Sequence, residues 1–438
     1  MKLRILPSAV LAATAAVFFA GMSLSAQNQP VPPAFDATMK NLDQNGFALS
    51  YLNTGEAFEV GSKLLQALVK PAAAHSRDAR LFSEVVSSVW KQSGAGAIRA
   101  IGRSGKKDGA FYTIRRFSYA PEELRSGFFW QISPSTPGLT MLDFAPADSR
   151  LACACNIEPG ILWNVFERNF NRYANERQKN QLAEILEMFK QEGLDVPQFL
   201  SAVSGFGVFM SAPMSVTCGF RMKTPSVYEA LTAVVKKNSP EYIKGNEIQI
   251  PLGAVMLTAF QYNDLILLTT DAESAKKCLS GVVRTLGTDP VFEQYSAGLT
   301  QSSSSWCYIA PGFISQILSL LSIVPQVRTF IPDSAAMSEV LAIAELDRPL
   351  FCVSDIRKDG CLTVTRTGSR PAAFYFASPE VESLVTTFAP ILITSLAQSL
   401  VPDDDDGDDG DDGDDGAGAG NAEKNVKVKE QVRSIKGK

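Results

Sequence analysis

Histidine is almost missing from this chain: His75 is the only one in 438 residues. A Ser-His-Asp or Cys-His system would have to use it. It sits in "PAAAHSRDAR", an Ala-rich stretch between two helical patterns that reads as a connector or surface loop. Metal sites built on imidazole lose their usual ligand with it. No Cys-x-x-Cys occurs, which removes thioredoxin-like chemistry. His-Glu-x-x-His, a Walker-type Gly-rich loop and a paired-carboxylate pattern are missing too.

Charge is also scarce once it is divided along the chain. The formal total is −5. Residues 403–438 alone carry −6, and Lys2 and Arg4 carry +2, which leaves −1 for residues 27–402. A near-neutral body has no electrostatic footprint for nucleic acid.

The ends are distinctive. Met1-Lys2-Leu3-Arg4 precedes an apolar run from Ile5 to Leu24, with small residues at Ser23, Ser25 and Ala26. A charged start, an apolar centre and a small-residue cleavage site read as a secretory signal peptide over 1–26. Export across an inner membrane, to a periplasmic or secreted location, is the expectation. Residues 27–45 begin with the Pro-rich "QNQPVPPAF" and read as a linker. At the other end, "DDDDGDDGDDGDDGAGAG" cannot bury apolar surface, so 403–438 is expected to be a disordered acidic and then basic tail. Its Asp-Asp-Gly period breaks every EF-hand register, so weak, non-specific cation attraction is all it implies. The run 383–401 carries no charge over 19 residues, but Pro390 and seven Ser, Thr or Gln make it a core or partner-binding helix rather than a membrane span.

Seven cysteines stand at 153, 155, 218, 278, 307, 352 and 361, too sparse for a disulfide-stapled miniature fold. Cys153 and Cys155 fall in the second of three stretches that align on a glycine. These are "FALSYLNTG" to Gly55, "ACACNIEPG" to Gly160 and "SSWCYIAPG" to Gly312, each followed by an amphipathic helical pattern. With period-two alternation, one face carries Leu52, Ile157 and Ile309, then Ser50, Cys155 and Cys307, then Ala48, Cys153 and Ser305. The cysteines thus read as small hydrophobic fillers on a tightly packed face. Residues two apart in a strand lie roughly 7 Å apart, too far for a Cys153–Cys155 bond.

Further along each stretch, "SGAGAIRAIG" (93–102) matches "SGFGVFMSAP" (204–213), and both Ser-Gly-x-Gly pairs read as helix stops. A dinucleotide fingerprint would follow a strand instead. Lys-Asp-Gly at 107–109 and 358–360 and Asn263-Asp264 predict hairpin turns. Thr270 and Glu273 suggest a capping box, and Ser378-Pro379 a second helix start. In 167–193, Leu182, Ile185, Leu186 and Phe189 mark a buried helical stripe beside a solvated polar face. Two Ser-x-x-Lys matches, Ser104–Lys107 and Ser274–Lys277, bring penicillin-binding hydrolases to mind. No Ser-x-Asn accompanies them, and Lys-Thr-Gly occurs only as Arg366-Thr367-Gly368.

The three glycine blocks, with "YNDLILLTTDAESAKKCL", resemble exported bacterial proteins of unknown function built from tandem strand–helix–sheet units. That resemblance implies an α+β fold and carries no activity with it. The expected organisation is unit 1 over 46–149, unit 2 over 150–303 and a partial unit 3 over 304–402. Each is an antiparallel sheet with helices on one face. No catalytic, cofactor-binding or metal-ligating residue is assigned, and no cofactor. The leading expectation is a non-catalytic binding or scaffolding module, with another envelope protein as partner. An envelope hydrolase whose site is not visible in the sequence is the alternative.

Overall fold

The computed structural model describes residues 33–55, 91–211, 215–253, 255–321 and 347–369, with scattered positions from 60 to 89. Within them the fold is mixed: helices with one 13-stranded antiparallel sheet. Its strands are β1 (Ala48–Asn53), β2 (Ala100–Asp108), β3 (Phe111–Tyr119), β5 (Leu151–Asn156), β6 (Val203–Met210) and β7 (Val216–Met222), followed by β8 (Ile243–Lys244), β9 (Glu247–Leu252), β10 (Val255–Tyr262), β11 (Leu265–Thr269), β13 (Ser305–Ile309), β14 (Leu350–Arg357) and β15 (Gly360–Thr367). Short β4 (Thr136–Pro137) and β12 (Ser302–Ser303) pair separately. The spatial order is β1-β2-β3-β15-β14-β13-β5-β6-β7-β11-β10-β9-β8. Pairings β3–β15 and β13–β5 cross the unit limits expected at 149/150 and 303/304, so one sheet draws strands from all three stretches.

Local turn chemistry sets the hairpins. Asn263 takes a positive φ of 53° between Tyr262 and Leu265, as a two-residue hairpin loop demands. Gly109, at φ 59°, opens the loop between Asp108 and Phe111. In the β14–β15 hairpin the loop is Lys358-Asp359, so Gly360 becomes the first strand residue, at φ 155°. A Cβ there would collide with the Ser118 carbonyl.

The helices with both ends among the described residues are α1 (Pro33–Met39), α2 (Pro159–Tyr173), α3 (Glu176–Gln191), α4 (Val196–Ala202), α5 (Ser226–Asn238), α6 (Ala272–Leu279), α7 (Pro290–Ser296) and α8 (Phe313–Leu321), and residues 91–93 are helical as well. One helix start and one helix stop differ from expectation. Asp271, not Thr270, caps α6 by accepting from the Ser274 N–H, while Thr270 Oγ1 accepts from the Val216 N–H. The carboxylate is the stronger acceptor, and the strand competes for the threonine. Of the two Ser-Gly-x-Gly pairs, only the first ends a helix, through Gly94 at φ 75°. Gly205 and Gly207 lie inside β6, where Gly207 faces Gly219 and leaves room for Met141 and Phe209.

The sheet has two unlike faces. One is aromatic: Phe117, Phe209, Trp306, Phe351, Leu362 and Val364 pack with Phe144, Phe292 and Tyr295. It is covered by α1, α6, α7 and the turns around Met141 and Phe144. The other carries Ile114, Leu151, Cys153, Cys307, Ile309, Leu350 and Cys352, with Phe313 of α8 against them. Toward β9 it carries Ile248, Ile266 and Met222 under Tyr228 of α5 and Phe199 of α4. Helices therefore lie on both faces, which corrects the one-sided layer. The physical reason is the return path: segments 120–150 and 270–304 lead from one meander to the next and close over the aromatic face.

Candidate functional site

The residues with chemical promise do not converge. His75 lies outside the described residues, as do Ser378-Pro379, 383–401 and the tail. Ser104 is buried in β2, where its hydroxyl accepts from the Asp43 N–H. Lys107 instead reaches over the Tyr112 ring at 5.8 Å. Ser274 occupies the capped first turn of α6. Lys277 binds Glu273 at 2.6 Å, and that carboxylate raises the lysine above its ordinary pKa. A lysine base needs the opposite shift. Neither Ser-x-x-Lys match is a nucleophile–base pair. Among the described residues no cluster of three His, Cys, Asp or Glu is placed to hold a metal, and no helix is long and apolar enough to cross a membrane.

The cysteines do converge, and here the filler reading is corrected. Register runs Cys352–Cys307–Cys153–Val208–Cys218 straight across β14, β13, β5, β6 and β7. Cys155 lies two residues along β5 and Cys361 four along β15 from Thr365, the partner of Cys352. Six of the seven cysteines thus share one face, and Cys278 sits in α6. Cys153 and Cys307 form a disulfide, with Cα atoms 4.0 Å apart at a sequence separation of 154. The bonds Asn156 N–H to Ser304 O and Ala310 N–H to Arg150 O bracket the pair. They put it at a position without main-chain bonds, where opposed side chains come closest.

Burial pushes the Cys155, Cys218 and Cys278 thiols up to about 11, the last also through the charge of Asp148. Only the thiolate reacts, so in the native protein at pH 8 these three should alkylate on the order of a hundredfold slower than in the unfolded chain. The linkage follows from the same shift. The folded state holds these protons more tightly than the unfolded state. Their stabilisation is complete below the unfolded thiol pKa and is lost as pH rises toward 11. Iodoacetamide labelling and urea midpoints at pH 8 and pH 10 check both expectations.

A second feature is a helical surface. α3 is set off by a capping box, in which Asn175 accepts from the Gln178 N–H and Gln178 Oε1 accepts from the Asn175 N–H. It has 16 residues and none of them is buried. Ile185 is 48% exposed, Met188 55% and Phe189 40%. The stripe expected to be buried is therefore open to solvent, with Leu182 and Leu186 half-covered. Periodicity reports that a helix is amphipathic; it does not report what covers the apolar side. On α2, Leu162 and Phe166 are likewise exposed, and Phe166 stacks on Phe170 at 5.4 Å. Charges of both signs flank the stripe: Glu184, Glu187, Lys179 and Lys190. Met188, one residue away from the expected stripe, is the sequence signal that widens the apolar side beyond a simple core-facing seam.

No protein family, curated protein or solved structure matches the chain.

Proposed function

We propose that this is a non-catalytic binding or scaffolding protein of the bacterial cell envelope, exported by its leader, with α3 as its contact helix. The occupant is an amphipathic helix of another envelope protein, presenting an apolar stripe edged by both charge signs. The observation that carries the reading is the 16-residue α3 without one buried residue. Helices of about 15 residues are marginal alone in water, and most helical stability in proteins comes from a packed apolar side. Ile185, Met188 and Phe189 offer about 1.5–3 kcal/mol each on full burial. The disulfide supports an oxidising compartment.

β1-β2-β3, β5-β6-β7 and β13-β14-β15 share one strand order: a first strand, a long connection and then a hairpin of the next two strands. We read them as degenerate copies of one element in units 46–149, 150–303 and 304–402. In β5–β13, Ala154 stands opposite Trp306, each six residues before its glycine, as a local two-fold relation requires. The acidic tail acts as a solubilising segment with loose cation attraction.

The test is a photocrosslinker at Met188 in the full chain, in envelope extracts, with and without Ile185→Gln and Phe189→Gln. One helical partner, crosslinked near its own apolar stripe and lost with the two substitutions, is the expected result. The unfolding free energy from urea titration should stay within about 0.5 kcal/mol of wild type, as for surface positions. A collapse in stability would mean that the stripe serves the fold, and the reading would fall.

A further inference from the structure

Cys307 has a register-matched cysteine on both sides. Cys153 stands opposite it across β5–β13, and Cys352 stands opposite it across β13–β14. Directly opposed residues of antiparallel strands have Cα atoms roughly 4.5 or 5.5 Å apart, depending on their main-chain bonding. Either spacing admits a disulfide. From these two pairings we propose that the Cys153–Cys307–Cys352 row is a thiol–disulfide exchange site in which Cys307 bonds to either neighbour.

The step balances without an outside oxidant. Cys352 gives up its proton, and its thiolate attacks Cys307 Sγ. The Cys307–Cys352 bond forms as the Cys153–Cys307 bond breaks. Cys153 leaves as a thiolate and takes up a proton. One disulfide and one thiol stand on each side of the reaction.

The surroundings select Cys352 as the attacking group. The Thr365 hydroxyl donates to its Sγ at 3.3 Å, an interaction that strengthens when the sulfur is anionic. All three sulfurs belong to half-buried residues on one face. Cys155 is two residues along β5 from Cys153, about 7 Å by strand rise, and its register partner on β13 is Ser305. Cys218 is two strands from Cys153, roughly 9.5 Å by strand spacing. Cys361 pairs with Ile356. The two bonds have different consequences. The first joins β5 to β13 and closes a loop of 154 residues. The second joins β13 to β14 and spans the 45 positions from 307 to 352. Exchange therefore unlocks the β5–β13 seam while keeping the chain oxidised.

The experiment maps disulfides by mass spectrometry after acid quenching, in the full-length chain with Cys155→Ala so that the Cys153 peptide has one thiol. Incubation at pH 8 with a trace of reduced glutathione should yield both the 153–307 and the 307–352 linked peptides. Adding Cys352→Ser should leave only 153–307. Adding Cys153→Ser instead should give the 307–352 bond in the purified protein. Finding only the 153–307 link in the glutathione-treated chain overturns the proposal, whether or not the Cys153→Ser variant folds. A folded Cys153→Ser variant in which Cys307 and Cys352 both alkylate overturns it as well.

Discussion

Asn156→Asp is expected to cost at least ~3 kcal/mol at pH 7 and to regain part of that loss near pH 5. Asn156 ends β5 and is 3% exposed. Its amide group donates to Pro134 O, Thr136 Oγ1 and Ser303 O, at 2.9 to 3.0 Å. The main chain joins in: the Ser133 hydroxyl donates to Asn156 O, and the Asn156 N–H donates to Ser304 O. The residue thereby fastens the 133–136 segment and β12 to the end of β5. A carboxylate in its place would put an oxygen where Nδ2 stands, against two carbonyls that can only accept. Repulsion and burial would raise the aspartate pKa well above its ordinary value. A raised folded-state pKa gives stability that is full below the unfolded pKa and is lost as pH rises through the folded one. The loss is therefore largest at neutral pH. Asn156→Leu separates shape from charge, since it orphans the same acceptors without adding an anion and should show no pH dependence of its own. Urea midpoints for the three proteins at pH 5 and pH 7 decide the matter. An aspartate variant as stable as wild type at pH 7 would contradict the bonding described here.

What could be read from sequence was what short-range chemistry decides. Asn263-Asp264 and the two Lys-Asp-Gly stretches form hairpins because a tight loop needs φ > 0, or a residue without Cβ, at fixed positions. The mixed helix and antiparallel sheet followed from the same alternation of turns and periods. What escaped was decided by partners distant in the chain. Alignment on the glycines sets Cys155 beside Cys307 as equivalents. Antiparallel neighbours run past one another, so Cys307 meets Cys153 instead, and only Ala154 meets its own counterpart, Trp306. The disulfide spans 154 residues, and no local spacing announces it. Asn156 carries no signature, because its importance lies in three acceptors gathered from 134, 136 and 303. On α3 the failure was of another kind. Its period is helical, but the covering surface that the stripe implies is not supplied by the described part of the chain.

Trp306→Ala should lower stability by ~3–5 kcal/mol, the range for removing a large buried aromatic side chain. The indole is 2% exposed. Its ring stands 6.3 Å from Phe209, 6.0 Å from Phe292 and 6.5 Å from Phe351, centroid to centroid. Nε1–H donates to Thr140 O at 2.8 Å. These partners come from β6, α7, β14 and the turn before Phe144, so the cluster joins all three stretches of the chain through one side chain. Trp306→Phe keeps most of the apolar volume but leaves the Thr140 carbonyl without its donor, a loss of about 1–3 kcal/mol. The difference between the two variants then reports packing, and the phenylalanine value reports the hydrogen bond. The shape of the transition carries the larger consequence. β15 pairs with β3 and β13 with β5 along the whole of β15 and β13, and the aromatic face runs under both seams. Removing Trp306 should therefore shift one cooperative unfolding transition, seen alike by far-ultraviolet circular dichroism and by the remaining tryptophans. A variant with two transitions, one of them at the wild-type midpoint, would show instead that the stretches fold independently and that the continuous sheet is not the cooperative unit.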